Sequence, residues 1–212
     1  MATYNQGVLG GFSGKVGPVI GSNWRGKNVM RSIPSKSTKT VSTAQQLQRD
    51  KFKFVLQFLT PLKGVLTETF GANVGSKTPF NNAMSYHMKE AVYYTGTVFE
   101  IDYSKVLIGM GGLCGIKNPV VHGAGTTALQ LTWDDNSQQG LAYPDDALLV
   151  VAYAPALNDF DFFMAYSLRE EAGCTLYFQE DFYGETVQLW ATFTNTQLAL
   201  TATSQYLGSV VV

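Results

Sequence analysis

The chain has 212 residues, 45% of them hydrophobic and 15% charged, so it can form a packed core and is not globally disordered. Its net charge is −1, but residues 1–60 carry nine basic residues against the single acid Asp50, whereas residues 61–212 carry six basic and fifteen acidic residues. A basic N-terminal part can bind a polyanion, the acidic body of a neighbouring copy, or the acidic remainder of its own chain.

Targeting signals are not evident in the sequence. Residues 1–10 lack a basic segment followed by an apolar one, and no run of about 18 apolar residues exists, so we predict neither a secretory signal nor a membrane span. We therefore expect synthesis in the cytoplasm without a signal peptide, with a virion or a non-standard export route as further destinations. Cys114 and Cys174 lack C-x-x-C spacing, which favours two free thiols, with a disulfide as the alternative.

Residues 1–41 are predicted to form a glycine-rich basic β arm that ends in a polar linker. The segments KVGPVIGSNWR and NVMRSIP flank Gly26 and Lys27, a pattern typical of a β-hairpin. Six apolar residues argue against a flexible tail, and these are Val19, Ile20, Trp24, Val29, Met30 and Ile33.

The stretch from Gly21 to Lys27 also matches the first part of the phosphate-binding motif G-x-x-x-x-G-K-[ST]. Asn28 stands where the motif requires a hydroxyl group for Mg²⁺, and the residues that follow predict a strand ending in proline rather than a helix. We therefore interpret Gly26 as a turn residue and predict no nucleotide site.

Residues 42–95 are predicted to be a segment with two helices. The first begins with Ser42 as its N-cap and Gln45 three residues later, a capping-box pattern, and it ends or kinks at Pro61. The second begins with Thr78 as its N-cap and Pro79 in its first turn, and it ends near residues 94–96.

Residues 96–212 are predicted to form an antiparallel immunoglobulin-like β-sandwich, because short apolar or alternating runs are separated by turn residues. Trp133 closes an early run, and with LLVVAYAP and TVQLWATFTN it resembles the B, C and F strands of fibronectin type III or immunoglobulin-like domains. The expected fold class is therefore mainly β with two helices: an N-terminal hairpin arm, a helical segment and a sandwich.

Residues suited to catalysis or metal binding are few. His87 and Glu90 have the i, i+3 spacing of half a metal motif but no second half, and neither His122 nor Cys114 has a partner nearby in sequence. We interpret the acidic pairs of the predicted loops as turn residues, with a Ca²⁺ site as the alternative. These pairs are Asp134-Asp135, Asp145-Asp146, Asp159/Asp161, Glu170-Glu171 and Glu180-Asp181. We predict no enzymatic activity, no cofactor and no metal.

The arm is instead the predicted interaction site. Its candidate residues are Trp24, Arg25, Lys27, Val29, Met30, Arg31, Lys36 and Lys39. We predict a non-enzymatic structural protein that self-associates by laying this arm on acidic neighbouring subunits, and we expect the C-terminal YLGSVVV to be shielded by a paired edge or by burial under a neighbour.

Two other functions stay open. One is a nucleic-acid-binding module that uses the same basic arm, with Trp24 available to stack on a base. The other is a β-sandwich that binds a carbohydrate or another ligand through exposed aromatic residues, namely Tyr143, Phe182, Tyr183 or Trp190.

The segments GFSGKVGPVIGSNWRGKNVMRSIP, TAQQLQRDKF and SQYLG resemble an uncharacterised family of Bacteroidota proteins of roughly this length. The resemblance spans the whole chain and is most specific in its first 53 residues. That family is a domain family of unknown function. Since it has no established activity, the resemblance implies no catalytic residue in this chain. Small proteins with an ordered arm and a β-sandwich are similar to phage or prophage structural proteins, which implies a virion or filament-like assembly component.

Overall fold

A computed structural model describes residues 3–4, 11–24, 26–35, 40–71, 77–123 and 127–212. The chain divides into two compact units, Met1–Ser42 and Thr43–Val212. The first unit contains one β-sheet, and the second contains the helices and the remaining sheets.

The first unit is an antiparallel meander of four strands, which we call the arm sheet. Its strands, in spatial as well as chain order, are β1 (Thr3–Tyr4), β2 (Phe12–Val16), β3 (Val19–Trp24) and β4 (Lys27–Ser32). Gly26 has a φ of +79° between β3 and β4, so it is the turn residue that the sequence predicted. The predicted hairpin is confirmed as β3 and β4, and two further strands extend it.

The described residues of the helical segment form three α-helices, where the sequence predicted two. They are α1 (Thr43–Leu59), α2 (Lys63–Thr69) and α3 (Pro79–Glu90). Helix α1 ends just before Pro61, but the chain then resumes as α2. Thr78 caps α3 as predicted, because its hydroxyl group accepts a hydrogen bond of 3.3 Å from the backbone N–H of Asn81.

Helix α3 ends at Glu90, earlier than the sequence suggested. The residues that follow leave the helix and form a two-stranded ladder, β5 (Val92–Tyr94) with β6 (Phe99–Ile101). Aromatic and β-branched residues favour such a ladder over a further helical turn.

The sandwich consists of two antiparallel sheets. Their strands are β7 (Lys117–Gly123), β8 (Ala128–Asp134), β9 (Ala147–Ala154), β10 (Asp159–Phe163), β11 (Gly173–Tyr177), β12 (Thr186–Asn195), β13 (Leu200–Thr201) and β14 (Gln205–Val211). The smaller sheet has the order β11-β8-β7. In the larger sheet β9 lies between β10 and β12, while β13 and β14 both pair with the other edge of β12. With β8 central in one sheet and β9 beside β12 in the other, the three predicted strands have immunoglobulin-like positions, and the predicted sandwich is confirmed.

Strand β9 is buried on both of its faces. Leu148 and Val150 pack against the smaller sheet, whereas Leu149 and Val151 pack against the helices. The second unit is therefore a stack of three layers: helices, larger sheet and smaller sheet. Burial on both faces explains why LLVVAYA is a continuous apolar run instead of an alternating one.

The C-terminal valines are part of the sandwich, so of the two expected ways of shielding them the structure shows pairing within the sheet. Strand β14 pairs with β12, Val210 packs on the core between the sheets, and Val212 is buried. Val211 alone of the three is largely exposed, at 59%.

Candidate interaction surface of the arm sheet

The two faces of the arm sheet differ in chemistry. Residues directly opposite each other in an antiparallel pair project from the same face of the sheet. Lys15, Ile20 and Arg31 form one such row across β2, β3 and β4, while Trp24 lies opposite Lys27. We call the face that carries Lys15, Ile20, Trp24, Lys27 and Arg31 the basic face. Val29 lies on it too, because it is two residues from both Lys27 and Arg31.

The opposite side of the sheet, which we call the apolar face, has small and hydrophobic residues, together with Asn23 opposite Asn28 beside the turn. Val16 lies opposite Val19, and Gly21 lies opposite Met30. A Cβ atom on Gly21 would lie only 2.6 Å from Cδ2 of Phe12, so glycine is needed here for the close approach of the Phe12 ring. The structure therefore brings Trp24, Lys27, Val29 and Arg31 together but places Met30 on the other face.

The described residues of the arm sheet are mostly exposed or half-buried. Among the described residues of Met1–Ser42 only Gly21 is buried. Met30 is 71% exposed and Trp24 51%, and all six residues of β4 are exposed. A small sheet gains stability mainly by covering a hydrophobic face, and most described side chains on both faces of this sheet are at least partly accessible.

Positive charge is concentrated in this unit. Residues 1–42 contain six basic residues and no acidic one, whereas residues 43–212 contain nine basic and sixteen acidic residues. Within the described part of the chain, neither Lys27 nor Arg31 forms an ion pair. Of the other predicted site residues, Arg25, Lys36 and Lys39 lie outside the described residues.

His87 has a structural role. Its Nδ1 donates to the carbonyl oxygen of Ala83 at 2.8 Å, and its Nε2 accepts from the backbone N–H of Leu107 at 3.2 Å. Burial lowers the pKa of the imidazole, which keeps it neutral and fits this pattern of one donor and one acceptor. Both ring nitrogens are therefore occupied. His122 lies exposed on β7.

The acidic pairs do not form a metal centre: within the described ranges, no three His, Cys, Asp or Glu side chains meet as metal ligands do. Asp146, interpreted from the sequence as a turn residue, is instead fully buried beside Arg169. The sequence reasoning missed this pair. One signal could have indicated it, since Arg169 is the sole arginine after residue 49.

Two of the aromatic residues proposed for ligand binding are inaccessible, which corrects that expectation. Phe182 is 2% exposed and Trp190 0%, because both belong to the hydrophobic cores. Tyr143 is partly buried, and Tyr183 is exposed. The exposed aromatic surface of the sandwich is thus smaller than the sequence suggested.

The two cysteines are free, as the sequence predicted. Burial raises the pKa of the Cys174 thiol to about 11. The Cys114 thiol donates to the carbonyl oxygen of Gln139 at 3.4 Å. A catalytic cysteine is activated by a lowered pKa or a neighbouring base, and Cys174 has the opposite environment.

None of the helices in the described part of the chain combines the length and the apolar character that crossing a membrane requires.

The fold and the exposed arm sheet define a β-sandwich protein with a helical layer and a basic N-terminal arm. The chain belongs to the family described as "Family of unknown function (DUF6266)", which matches residues 11–208. No curated protein matches the chain significantly in sequence. Among solved structures, the chain is similar to the solution structure of the fn3 domain of the human collagen alpha-1(XX) chain, with 11% identity, coverage of 46% of this chain and 84% of that one, and a TM-score of 0.35.

Proposed function

We propose that this protein is a non-enzymatic structural protein that self-associates through its basic N-terminal arm on an acidic surface of a neighbouring subunit. The observation that carries the proposal is the arm sheet itself, in which Gly21 is the sole buried residue among those described. Fully burying one Val or Met side chain stabilises a complex by roughly 1.5–3 kcal/mol, so covering even two or three of these residues would be a substantial gain.

The distribution of charge along the chain also supports a second copy of this chain as the partner. The arm has only basic residues, while the rest of the chain has an excess of acidic ones, so two copies attract each other when the arm of one meets the body of the other. Such attraction is screened by salt, because the Debye length falls to about 3 Å at 1 M ionic strength.

An arm that binds a different surface on the next copy makes a head-to-tail contact. Contacts of this kind generate closed rings or open filaments, depending on the rotation between copies. A virion or filament-like assembly component is the biological role that we propose for such a protein.

Sedimentation equilibrium of two matched variants tests the proposal. Val29→Asp puts an acid on the basic face, whereas Val211→Asp places the same change at an exposed valine of the sandwich; the wild-type valines are 41% and 59% exposed. We expect Val29→Asp to weaken association and Val211→Asp to leave it unchanged. Equal behaviour of the two variants would argue against the arm as the association site.

Nucleic-acid binding is the second candidate, and the neighbouring positions of Trp24 and Lys27 on the basic face favour it, since stacking and phosphate contacts occur together in single-strand binding. A gel shift with single-stranded DNA and RNA at low salt, using wild type and the Lys27→Ala/Arg31→Ala variant, distinguishes it. A shift that the double substitution abolishes would support this second function, and no shift with wild type would remove it.

A further inference from the structure

A cleft of about 680 Å³ opens between α1, β6 and the turn that joins β9 to β10. This volume lies in the range of about 300–1,000 Å³ that is typical of ligand-binding sites. All the described residues that line the cleft belong to the second unit, and they include none of the aromatic residues that the sequence suggested for ligand binding. The cleft is therefore a candidate site in its own right.

Five aromatic residues line the cleft, namely Phe54, Phe58, Phe99, Tyr103 and Tyr153. Phe58 and Tyr153 are buried and pack edge to face with their ring centroids 5.3 Å apart, so both rings are held in place. Phe54 and Phe99 are half-buried, and their ring centroids are 6.1 Å apart. Part of each of these two side chains therefore remains accessible to a ligand.

Two hydrogen-bonding groups of the cleft are held by tyrosine hydroxyls. The Tyr153 hydroxyl donates to Oδ1 of Asn158 at 3.0 Å, and the Tyr93 hydroxyl donates to Oε2 of Glu100 at 2.7 Å. The amide nitrogen of Asn158 and Oε1 of Glu100 have no partner among the described residues. One offers donors and the other an acceptor, and both are already oriented before a ligand binds.

Gln57 adds a third polar side chain to the cleft. It is exposed and makes no side-chain hydrogen bond with the described residues, so its amide can both donate to a ligand and accept from it. A hydroxyl group also donates and accepts. This mixture of donors and acceptors therefore suits a ligand that carries several hydroxyl groups.

The charges around the cleft favour a neutral ligand. Glu100 is the one charged residue among the described residues of the lining, and its carboxylate disfavours an anion. Helix α1 disfavours a cation, because it carries three basic residues, Arg49, Lys51 and Lys53, and a single acid.

We propose that this cleft binds a neutral oligosaccharide. A sugar ring has a face of C–H bonds, which are apolar and slightly positive and therefore stack on the negative face of an aromatic ring. Phe54 and Phe99 supply this stacking surface. The hydroxyl groups at the edge of the sugar exchange hydrogen bonds with Gln57, Asn158 and Glu100. This inference goes beyond the function proposed above and does not depend on self-association.

Titration of the isotope-labelled full chain, followed by NMR, tests the inference. The probes are neutral oligosaccharides built from glucose, galactose, mannose, xylose and N-acetylglucosamine. Adenosine and uridine are included because a nucleobase can stack on the same aromatic rings. We expect at least one oligosaccharide, and neither nucleoside, to shift the side-chain amide signals of Gln57 and Asn158 in a saturable way.

Matched variants on α1 connect this binding to the cleft. Phe54→Leu keeps an apolar side chain but removes the ring, and Phe52→Leu makes the same change at a residue that is 48% exposed and outside the lining. Gln57→Ala and Gln48→Ala form the polar pair, both at exposed positions without a described side-chain hydrogen bond. We expect Phe54→Leu and Gln57→Ala each to raise the dissociation constant about fivefold and their controls to leave it unchanged.

Each outcome decides for or against the inference. Weaker binding by Phe54→Leu and Gln57→Ala alone supports it, and the exposed position of Gln57 keeps the test valid if Phe54→Leu disturbs the fold. Equal effects of the cleft variants and their controls would overturn it, as would the lack of a saturable shift with every oligosaccharide. Saturable shifts with a nucleoside alone would assign the cleft to a base and would also overturn it.

Discussion

Arg169 and Asp146 form an ion pair from which solvent is completely excluded, with Nη2 of Arg169 2.9 Å from Oδ2 of Asp146. The guanidinium also donates to the side-chain oxygen of Asn136 at 2.6 Å and to the carbonyl oxygen of Cys114 at 2.8 Å, and its centre lies 4.0 Å above the Phe193 ring. These contacts tie three loops to the core strand β12. The pair therefore explains how the loops at one end of the sandwich are held.

We expect Asp146→Ala to destabilise the fold by about 3–5 kcal/mol, because it leaves a buried guanidinium without its counter-charge. Lys105→Ala is the matched control, since Lys105 and Asp102 form a partly exposed ion pair of 3.1 Å. Its effect should stay below about 1 kcal/mol. Urea unfolding measures both free energies, and similar values for the two variants would show that the buried pair does not anchor the loops.

His87 makes the stability of the second unit depend on pH. Its pKa is lowered by burial from the ordinary value of 6.5, so below that pH the unfolded chain binds a proton that the folded chain does not. Stability is thus complete above pH 6.5 and falls as the pH drops towards the pKa of the folded state. The slope that this one group can contribute is at most about 1.4 kcal/mol per pH unit.

Replacing His87 isolates this contribution. We expect His87→Asn to be less stable than wild type at pH 7.5 by about 1–3 kcal/mol, because hydrogen bonds to Ala83 and Leu107 weaken. Between pH 7 and 5.5 it should lose less stability than wild type does. Exposed His122 provides the control, and a pH profile of His87→Asn that parallels that of His122→Asn would contradict the prediction.

Asp161 is a buried acid whose Oδ2 has no hydrogen-bond partner among the described residues. Burial raises its pKa above the ordinary value of 3.8, so ionisation disfavours the folded state, and stability is lost as the pH rises through the pKa of the folded state. We therefore expect Asp161→Asn to be more stable than wild type at pH 7 by on the order of 1 kcal/mol, with a smaller gain near pH 4.

Asp159 on the same strand is a close control for that substitution. Each of the two carboxylates accepts a hydrogen bond from the next backbone N–H, at 2.8 Å for Asp159 and 2.9 Å for Asp161, but Asp159 is exposed. Thermal unfolding of Asp159→Asn should change stability by less than about 0.5 kcal/mol. Stabilisation of both variants to the same degree would point to net charge instead of burial.

Features specified by local chemistry could be predicted from the sequence. The turn at Gly26 depends on one residue that tolerates a positive φ, and the start of α3 depends on a threonine followed by proline. The sandwich could be inferred from alternating apolar residues between turns. Adjacent residues in a strand project to opposite faces, so the predicted strand also implies that Val29 and Met30 lie on different faces of the arm sheet.

Features that depend on distant contacts could not be predicted in the same way. Asp146 and Arg169 are 23 residues apart, and although Arg169 stands out as the sole arginine after residue 49, the sequence does not indicate which acid it pairs with. Helix α2 follows a proline and contains Gly64, so it is stabilised by its buried Val65 and Leu66 rather than by local propensity. The burial of Phe182 likewise depends on the hydrophobic core that it shares with residues far away in the sequence, such as Leu131.

The molar mass in solution tests self-association through the arm most directly. Light scattering should be compared, over a range of concentrations and at low and high salt, for the full chain and for a variant that lacks residues 1–40 but keeps Ser42 at the start of α1. A monomer has a mass of 23.2 kDa. We predict that the full chain exceeds this mass increasingly with concentration and less so at high salt, while the shortened chain stays monomeric. Monomers of both at the highest concentration, or equal association of both, would contradict self-association through the arm.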